Sequence, residues 1–307
     1  MPTRPHLPAR TIVVKTYEEL DRFLHAFASG HLNLLILLGD PGLAKSVRVR
    51  QIVGADACWI EGSATAFGIY CRLWKHKDQP VVIDDVDSLY TDRATVRLLK
   101  CLCQTEQAKT LAWHSDARRL DHERIPRDFS TTSRVVIIAN DWRTLNVNVA
   151  ALQDRGHVIL FEPDALEVHR QAASWFWDQE VFDFFADHLH WIAEPSLRHY
   201  LAAAELKEAG LEWRRLVLAR CLRGNLLLVA QLKADLRYTN EEERVRAFVA
   251  ARGGCRATYF NNAKKLRPTA DVPKIILAHS SPPANHSGPL DGIVPLANRR
   301  FGQLGNG

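Results

Sequence analysis

Two hydrophobic regimes divide this chain. Up to about residue 163, short unbroken apolar runs alternate with stretches whose apolar positions recur every three or four residues. The runs centre on 34–38 (LLILL), 58–60 (CWI), 81–84 (VVID), 134–139 (RVVIIA) and 157–161 (HVILF). A strand that is apolar on both faces must be covered on both, which is the signature of a parallel sheet between helices. The intervening segments 16–28 (TYEELDRFLHAFA), 65–75 and 93–104 carry helical spacing. The pattern therefore predicts α/β alternation, a parallel five-stranded sheet and three layers. After Pro163 the strand pattern stops, and 165–236 reads as helices rich in Trp, Phe and Leu. The aromatic residues of SWFWDQEVFDFFADHLHWI fall at mixed three- and four-residue steps, as a buried helix face requires. A helix is expected over 195–210, with Ser196 before it and Gly210 closing it.

The first strand run feeds into GDPGLAKS. Gly39, Asp40, Pro41, Gly42, Leu43 and Ala44 form a loop that ends in Lys45 and Ser46 at a helix start. Loop N–H groups pointing into one concavity, a helix N-terminus and a lysine together make a phosphate cradle, and Ser46 supplies a hydroxyl for Mg²⁺. Ala44 stands where G-x-x-x-x-G-K-[ST] has its second glycine, and its methyl group asks for ordinary helical angles there.

The acidic end of VVIDDVD supplies the carboxylates that such a cradle needs. Asp84 is placed to hold the metal, Asp85 to polarise water, and Asp87 to act as a helix-start or surface charge. Asn140, at the end of RVVIIA, can orient water or contact a terminal phosphate.

The succession GDPGLAKS, VVIDDVD, IIAND and LQDRGHVILFEPD resembles an AAA+ ATPase module, a branch of the P-loop NTPases, over roughly 32–266. The resemblance implies a P-loop core followed by an all-α lid, ATP and Mg²⁺ as ligands, and Asn140 as sensor 1. It also implies Arg155 as a finger reaching a neighbouring copy's nucleotide and Arg198 as the lid's sensor 2 arginine. Arg155 could equally be a surface arginine paired with Asp154, and Arg198 a solvated first-turn residue. Two departures matter. Ala44 is shared with similar sequences of the MoxR-like branch, so binding need not suffer. Asp85 replaces the usual Glu, and its shorter side chain leaves room for slow hydrolysis.

Composition changes this picture little. The 307 residues are 47% hydrophobic and 24% charged, with a net charge of +5, as in an ordinary folded domain. No run reaches the ~18 apolar residues that span a bilayer, and MPTRPHLPAR lacks a signal's apolar segment. A cytoplasmic protein that does not engage membranes is expected. The six cysteines are scattered, so reduced thiols and no metal other than Mg²⁺ are expected.

Three segments bear on partners. The first, 105–132, is long for a connection and carries Lys109, Trp113, His114, Arg118, Arg119, Arg124 and Arg127. It faces either a polymer substrate or a neighbouring subunit, or is a solvated loop. The second, EEERVRAFVAARGGCRATYFNNAKKL, resembles a helix-turn-helix, its second helix beginning at Arg256; the alternative is a terminal lid helix pair. The third, 267–307, is rich in Pro, Gly, Ser and Asn and reads as a tail.

The expected organisation is a lead and helix (1–31), a P-loop ATPase core (32–163), a helical lid (164–266) and a tail (267–307). The expected activity is hydrolysis of MgATP, coupled to oligomer-dependent remodelling or loading. The alternative is a hydrolysis-poor nucleotide switch or scaffold. Further copies of the chain are the expected partners, with nucleic acid and another protein left open.

Overall fold

The computed structural model describes residues 7–86, 92–114, 118–142, 152, 154–192, 194–266, 275–278 and 281. Its main sheet is parallel and has six strands: β1 (Ile12–Val14), β2 (Leu34–Leu38), β3 (Cys58–Glu61), β4 (Val81–Asp84), β7 (Val135–Ala139) and β8 (His157–Phe161), in the order β1-β8-β2-β7-β4-β3. Five of them are the apolar runs of the sequence. The sixth, β1, is a correction to the five-stranded expectation. It lies at the sheet's edge and pairs only with β8, from Ile12 opposite Ile159 to Val14 opposite Phe161. An edge strand of three residues with Val13 half exposed carries no long apolar run to announce it.

Side chains alternate between the two faces, and each face is covered. Leu35, Leu37, Val136, Ile138, Ile159 and Phe161 pack with Leu20, Leu24 and Phe27 of α1 (Tyr17–Ala28) and with the helices after residue 163. Leu34, Ile36, Ile83, Val135, Ile137 and Leu160 pack with Ile69 and Leu73 of α3 (Ala66–Lys75) and Leu98, Leu99 and Leu102 of α4 (Arg93–Leu102). This gives the three layers predicted from the runs.

The segment 105–132 contains more order than its loop-like sequence implies. β5 (Lys109–Ala112) and β6 (Asp128–Thr131) form an antiparallel pair, with α5 (Arg118–His122) between them. The short alternation of buried and exposed positions in each strand is masked in the sequence by the surrounding charges. Buried Lys109 donates to the Ser133 carbonyl at 2.6 Å, and Trp113 packs near Phe67 and Tyr70.

Beyond β8 the described structure is helical. Four helices, Ala165–Ala173, Gln179–His188, Arg198–Glu208 and Trp213–Cys221, share a core with the sheet through Val168, Phe182, Tyr200 and Val217. Three more, Gly224–Ala234, Glu241–Ala250 and Arg256–Lys265, close on a separate cluster of Val229, Leu232, Val245, Phe248 and Tyr259. Asp87 and most of the tail lie outside the described residues. Within the tail, the Gln179 side chain donates to the Ile275 carbonyl at 2.9 Å and accepts from the Leu277 N–H at 2.7 Å.

Candidate functional site: a phosphate cradle at the carboxyl edge of the sheet

The strand order assembles the site. β7 lies between β2 and β4, and the registers place Leu38 opposite Ala139 and Asp84 opposite Ile138. The residues that follow these strands, Gly39, Asn140 and Asp85, therefore emerge side by side at one edge. Open parallel sheets bind ligands at this edge.

The loop from Gly39 to Ala44 is shaped by close approaches. A Cβ on Gly39 would sit 2.6 Å from the Phe161 carbonyl oxygen of β8, and Gly42 has φ +84°. Ala44 itself is left-handed, at φ 56° and ψ 26°. This overturns the expectation of ordinary helical angles: its methyl group accepts a conformation that costs roughly 1–2 kcal/mol for an L-residue. The loop path prevails over the local preference. Ala44 is the N-cap of α2 (Lys45–Val53) and provides no side-chain cap, whereas α1, α3 and α4 are capped by Thr16, Thr65 and Asp92. The first N–H groups of α2 thus lack the side-chain partner that the other sheet-flanking helices have, as an anion-binding helix start requires.

Lys45 is buried, and its Nζ donates to the Gly39 carbonyl at 2.7 Å, the Asp40 carbonyl at 2.9 Å and Asn140 Oδ1 at 3.1 Å. Burial lowers its pKa to about 8, against the opposing pull of Asp84, Asp40 and Asp85. Asn140 turns its other end to Asp85, with Nδ2 3.1 Å from both carboxylate oxygens. One amide thus links the cradle lysine to the second acid. Asp85 is held at φ 52° with its N–H on the Ile138 carbonyl at 3.2 Å.

Asp84 meets the Ser46 hydroxyl, and its carboxyl is pushed above the usual range. Burial is the main cause; Glu61 and Asp85 add to it, and Ser46 and Lys45 oppose it. Paired hydroxyl and carboxylate oxygens are hard ligands of the kind Mg²⁺ takes, and a half-buried carboxylate next to two further acids favours a cation. The donor set therefore fits the metal implied by the sequence.

The helical half reaches the cradle directly. The Leu197 N–H donates to the Gly42 carbonyl at 2.9 Å, and a Cβ on Gly42 would collide with Ser196 Oγ. Arg198 opens its helix, with its N–H on Ser196 Oγ at 3.3 Å. That helix runs Arg198–Glu208, within the segment 195–210, with Ser196 before it and Gly210 closing it at φ +69° as expected. Arg198 is exposed beside the loop, close enough for its charge to act on Lys45.

Arg155 lies apart from this group. It precedes β8, and its guanidinium donates to the Lys100 carbonyl in the last turn of α4 at 2.7 Å. Its partner is therefore a helix C-terminus, where a cation is favoured, rather than Asp154.

Two neighbours of the site escaped the sequence reading. Glu61, at the end of β3, is in register with Asp84, and Arg50 of α2 pairs with it at 2.6 Å. Tyr17, at the start of α1, donates its hydroxyl to the Leu43 carbonyl at 3.2 Å. Glu61 was legible as the acid ending CWIE; Tyr17 carried no local signal.

No family model matches the chain. It is 24% identical over 140 residues to an uncharacterized 36.7 kDa protein encoded in the nrdC-mobD intergenic region of Enterobacteria phage T4. The match spans 43% of each protein, so the chain covers less than half of that relative's length. Among solved structures it is similar to a katanin structure concerned with self-assembly, at 12% identity, with 84% of this chain and 85% of that one covered and a TM-score of 0.39. It is also similar to the FIGL-1 AAA domain in complex with ADP, at 12% identity, with 84% of each chain covered and a TM-score of 0.37.

Proposed function

We propose that the chain is an AAA+ type ATPase that binds and hydrolyses MgATP at the carboxyl edge of β2, β7 and β4. The observation that carries the reading is the link through Asn140, which joins the buried Lys45 ammonium to the Asp85 carboxylate beside the Asp84–Ser46 pair. No ordinary packing need brings a buried lysine, two acids, an amide and a helix start lacking a side-chain cap to one edge.

In this reading the N–H groups of the loop and of α2 hold the phosphates, and Lys45 exchanges its carbonyl partners for phosphate oxygens. Mg²⁺, held by Ser46 and Asp84, would neutralise charge on the transferring phosphoryl group. Asp85 accepts a proton from water that Asn140 orients, and Arg198 adds positive charge from the helical half. Arg155 completes the site of a neighbouring copy once it leaves the Lys100 carbonyl, so turnover rises with assembly. Relative motion of sheet and helices then remodels or loads a partner.

One observation favours the slower alternative, a nucleotide switch. Asn140 Nδ2 lies 3.1 Å from both oxygens of Asp85, and donation to the charged carboxylate favours that form and weakens it as a base.

Calorimetric titration with MgATP, paired with a phosphate-release assay, tests the reading. Lys45→Ala should weaken binding at least tenfold, and Asp85→Asn should bind normally and lose turnover. Wild-type protein with no affinity for any purine triphosphate would end the proposal.

A further inference from the structure

The three-helix unit from Gly224 to Leu266 plays no part in the nucleotide site and has its own apolar cluster. It also holds much of the chain's charge surplus, with eight Lys and Arg against four Asp and Glu, in a protein whose net charge is +5.

Each of the four acids is committed within the unit. Asp235 pairs with Arg237 at 2.6 Å. Glu241 takes Lys233, Arg244 and the buried Tyr259 hydroxyl, and Glu242 takes Arg256. Glu243 accepts from the N–H and hydroxyl of Thr239. Arg246, Arg252, Lys264 and Lys265 remain exposed and enter no ion pair among the described residues.

The backbone directs these cations. Helix Glu241–Ala250 passes to helix Arg256–Lys265 through a five-residue turn in which Arg252 has φ 59° and Gly254 φ +114°. A Cβ on Gly253 would enter the Phe248 ring, so the tight turn depends on glycine. The two helices pack with Gly224–Ala234 on one apolar cluster, and their glycine-bearing turn is one residue longer than that of a helix-turn-helix, the motif whose second helix docks in the major groove. The outer face of that second helix presents Arg256, Ala257, Phe260, Asn261 and Lys264 at helical spacing, all exposed. Asparagine reads adenine edges, small and aromatic side chains touch thymine methyls, and unpaired cations hold phosphates.

We propose that this unit binds duplex DNA, with helix Arg256–Lys265 in the major groove and Arg246, Arg252, Lys264 and Lys265 on the phosphates. The site is independent of the nucleotide cradle.

Fluorescence anisotropy of the full-length protein with a labelled 30-base-pair duplex, titrated from about 50 to 200 mM salt, tests it. Four phosphate contacts contribute a slope of about −3.6 in log K against log salt. Arg246→Ala/Arg252→Ala/Lys264→Ala/Lys265→Ala should remove most of that slope and weaken binding at least tenfold at the low-salt end. A charge-matched variant elsewhere, Arg10→Ala/Lys15→Ala/Arg22→Ala/Lys77→Ala, should bind within about twofold of wild type. Lys45→Ala should bind DNA unchanged even if ATP affinity proves absent, which separates failure here from failure of the nucleotide reading. Wild type that ignores the duplex at 50 mM salt would overturn the proposal. So would equal losses in the two quadruple variants, or single-stranded DNA or RNA that outcompetes the duplex.

Discussion

Lys45 concentrates the electrostatics of the site in one side chain. Its ammonium is buried against two carbonyls and Asn140, which brings its pKa to about 8. In the proposed complex, bound phosphate would favour the charged form and raise this pKa. Below pH 8 both states carry the proton and affinity is flat. Above it, binding takes up a proton and affinity falls by up to about tenfold per pH unit. Titrations at pH 7, 8 and 9 in buffers of different ionisation enthalpy should record that uptake. His169 works on stability instead. It is fully buried, its Nδ1 is 2.9 Å from the Tyr200 hydroxyl, its ring stacks on Phe182, and burial lowers its pKa to about 4. The unfolded chain binds the proton first, so stability is lost as pH falls from about 6.5 toward 4, by about 3 kcal/mol in all. His169→Phe should flatten the shift of the urea midpoint between pH 7 and 5. Of these residues, the sequence revealed Lys45 through the motif around it. His169 was silent because its partners come from two other helices.

At the scale of elements, the apolar runs were legible because a strand buried on both faces must be apolar throughout. The five found in the sequence are the five strands from β3 to β1's neighbour β8. β1 and the β5–β6 pair were not legible, since edge and hairpin strands are half exposed and their alternation is too short to stand out. The left-handed Ala44 was missed for a related reason: local preference is weak beside a loop fixed at Phe161 and Ser196. Gly156 shows the same control of tertiary structure over a single position. A Cβ there would lie 2.6 Å from the Leu34 side chain and carbonyl oxygen. Gly156→Ala must push β2 or β8 aside and should cost about 1–3 kcal/mol, read from the urea midpoint.

For the whole molecule, Arg155 is the residue through which a second copy would act. Arg155 rests on the Lys100 carbonyl of its own chain, and leaving it would expose a helix end. If Arg155 serves a neighbour, turnover per chain should climb with protein concentration, and Arg155→Ala should abolish the climb while sparing ATP affinity. Phosphate release measured over a hundredfold range of protein concentration, beside sedimentation, checks this. A variant that only lowers the melting temperature would make Arg155 a clamp for α4.

The hydrogen bond from Leu197 to the Gly42 carbonyl joins the loop to the helical half. The Gly42 peptide is thereby tied to the start of the helix Arg198–Glu208, which Tyr200 and the core it shares with the sheet hold in place. If the loop holds phosphate as proposed, a displacement of that helix would reshape the loop, and a ligand filling the loop would shift the helix in return. Occupancy of the loop and placement of the helix would then report on one another.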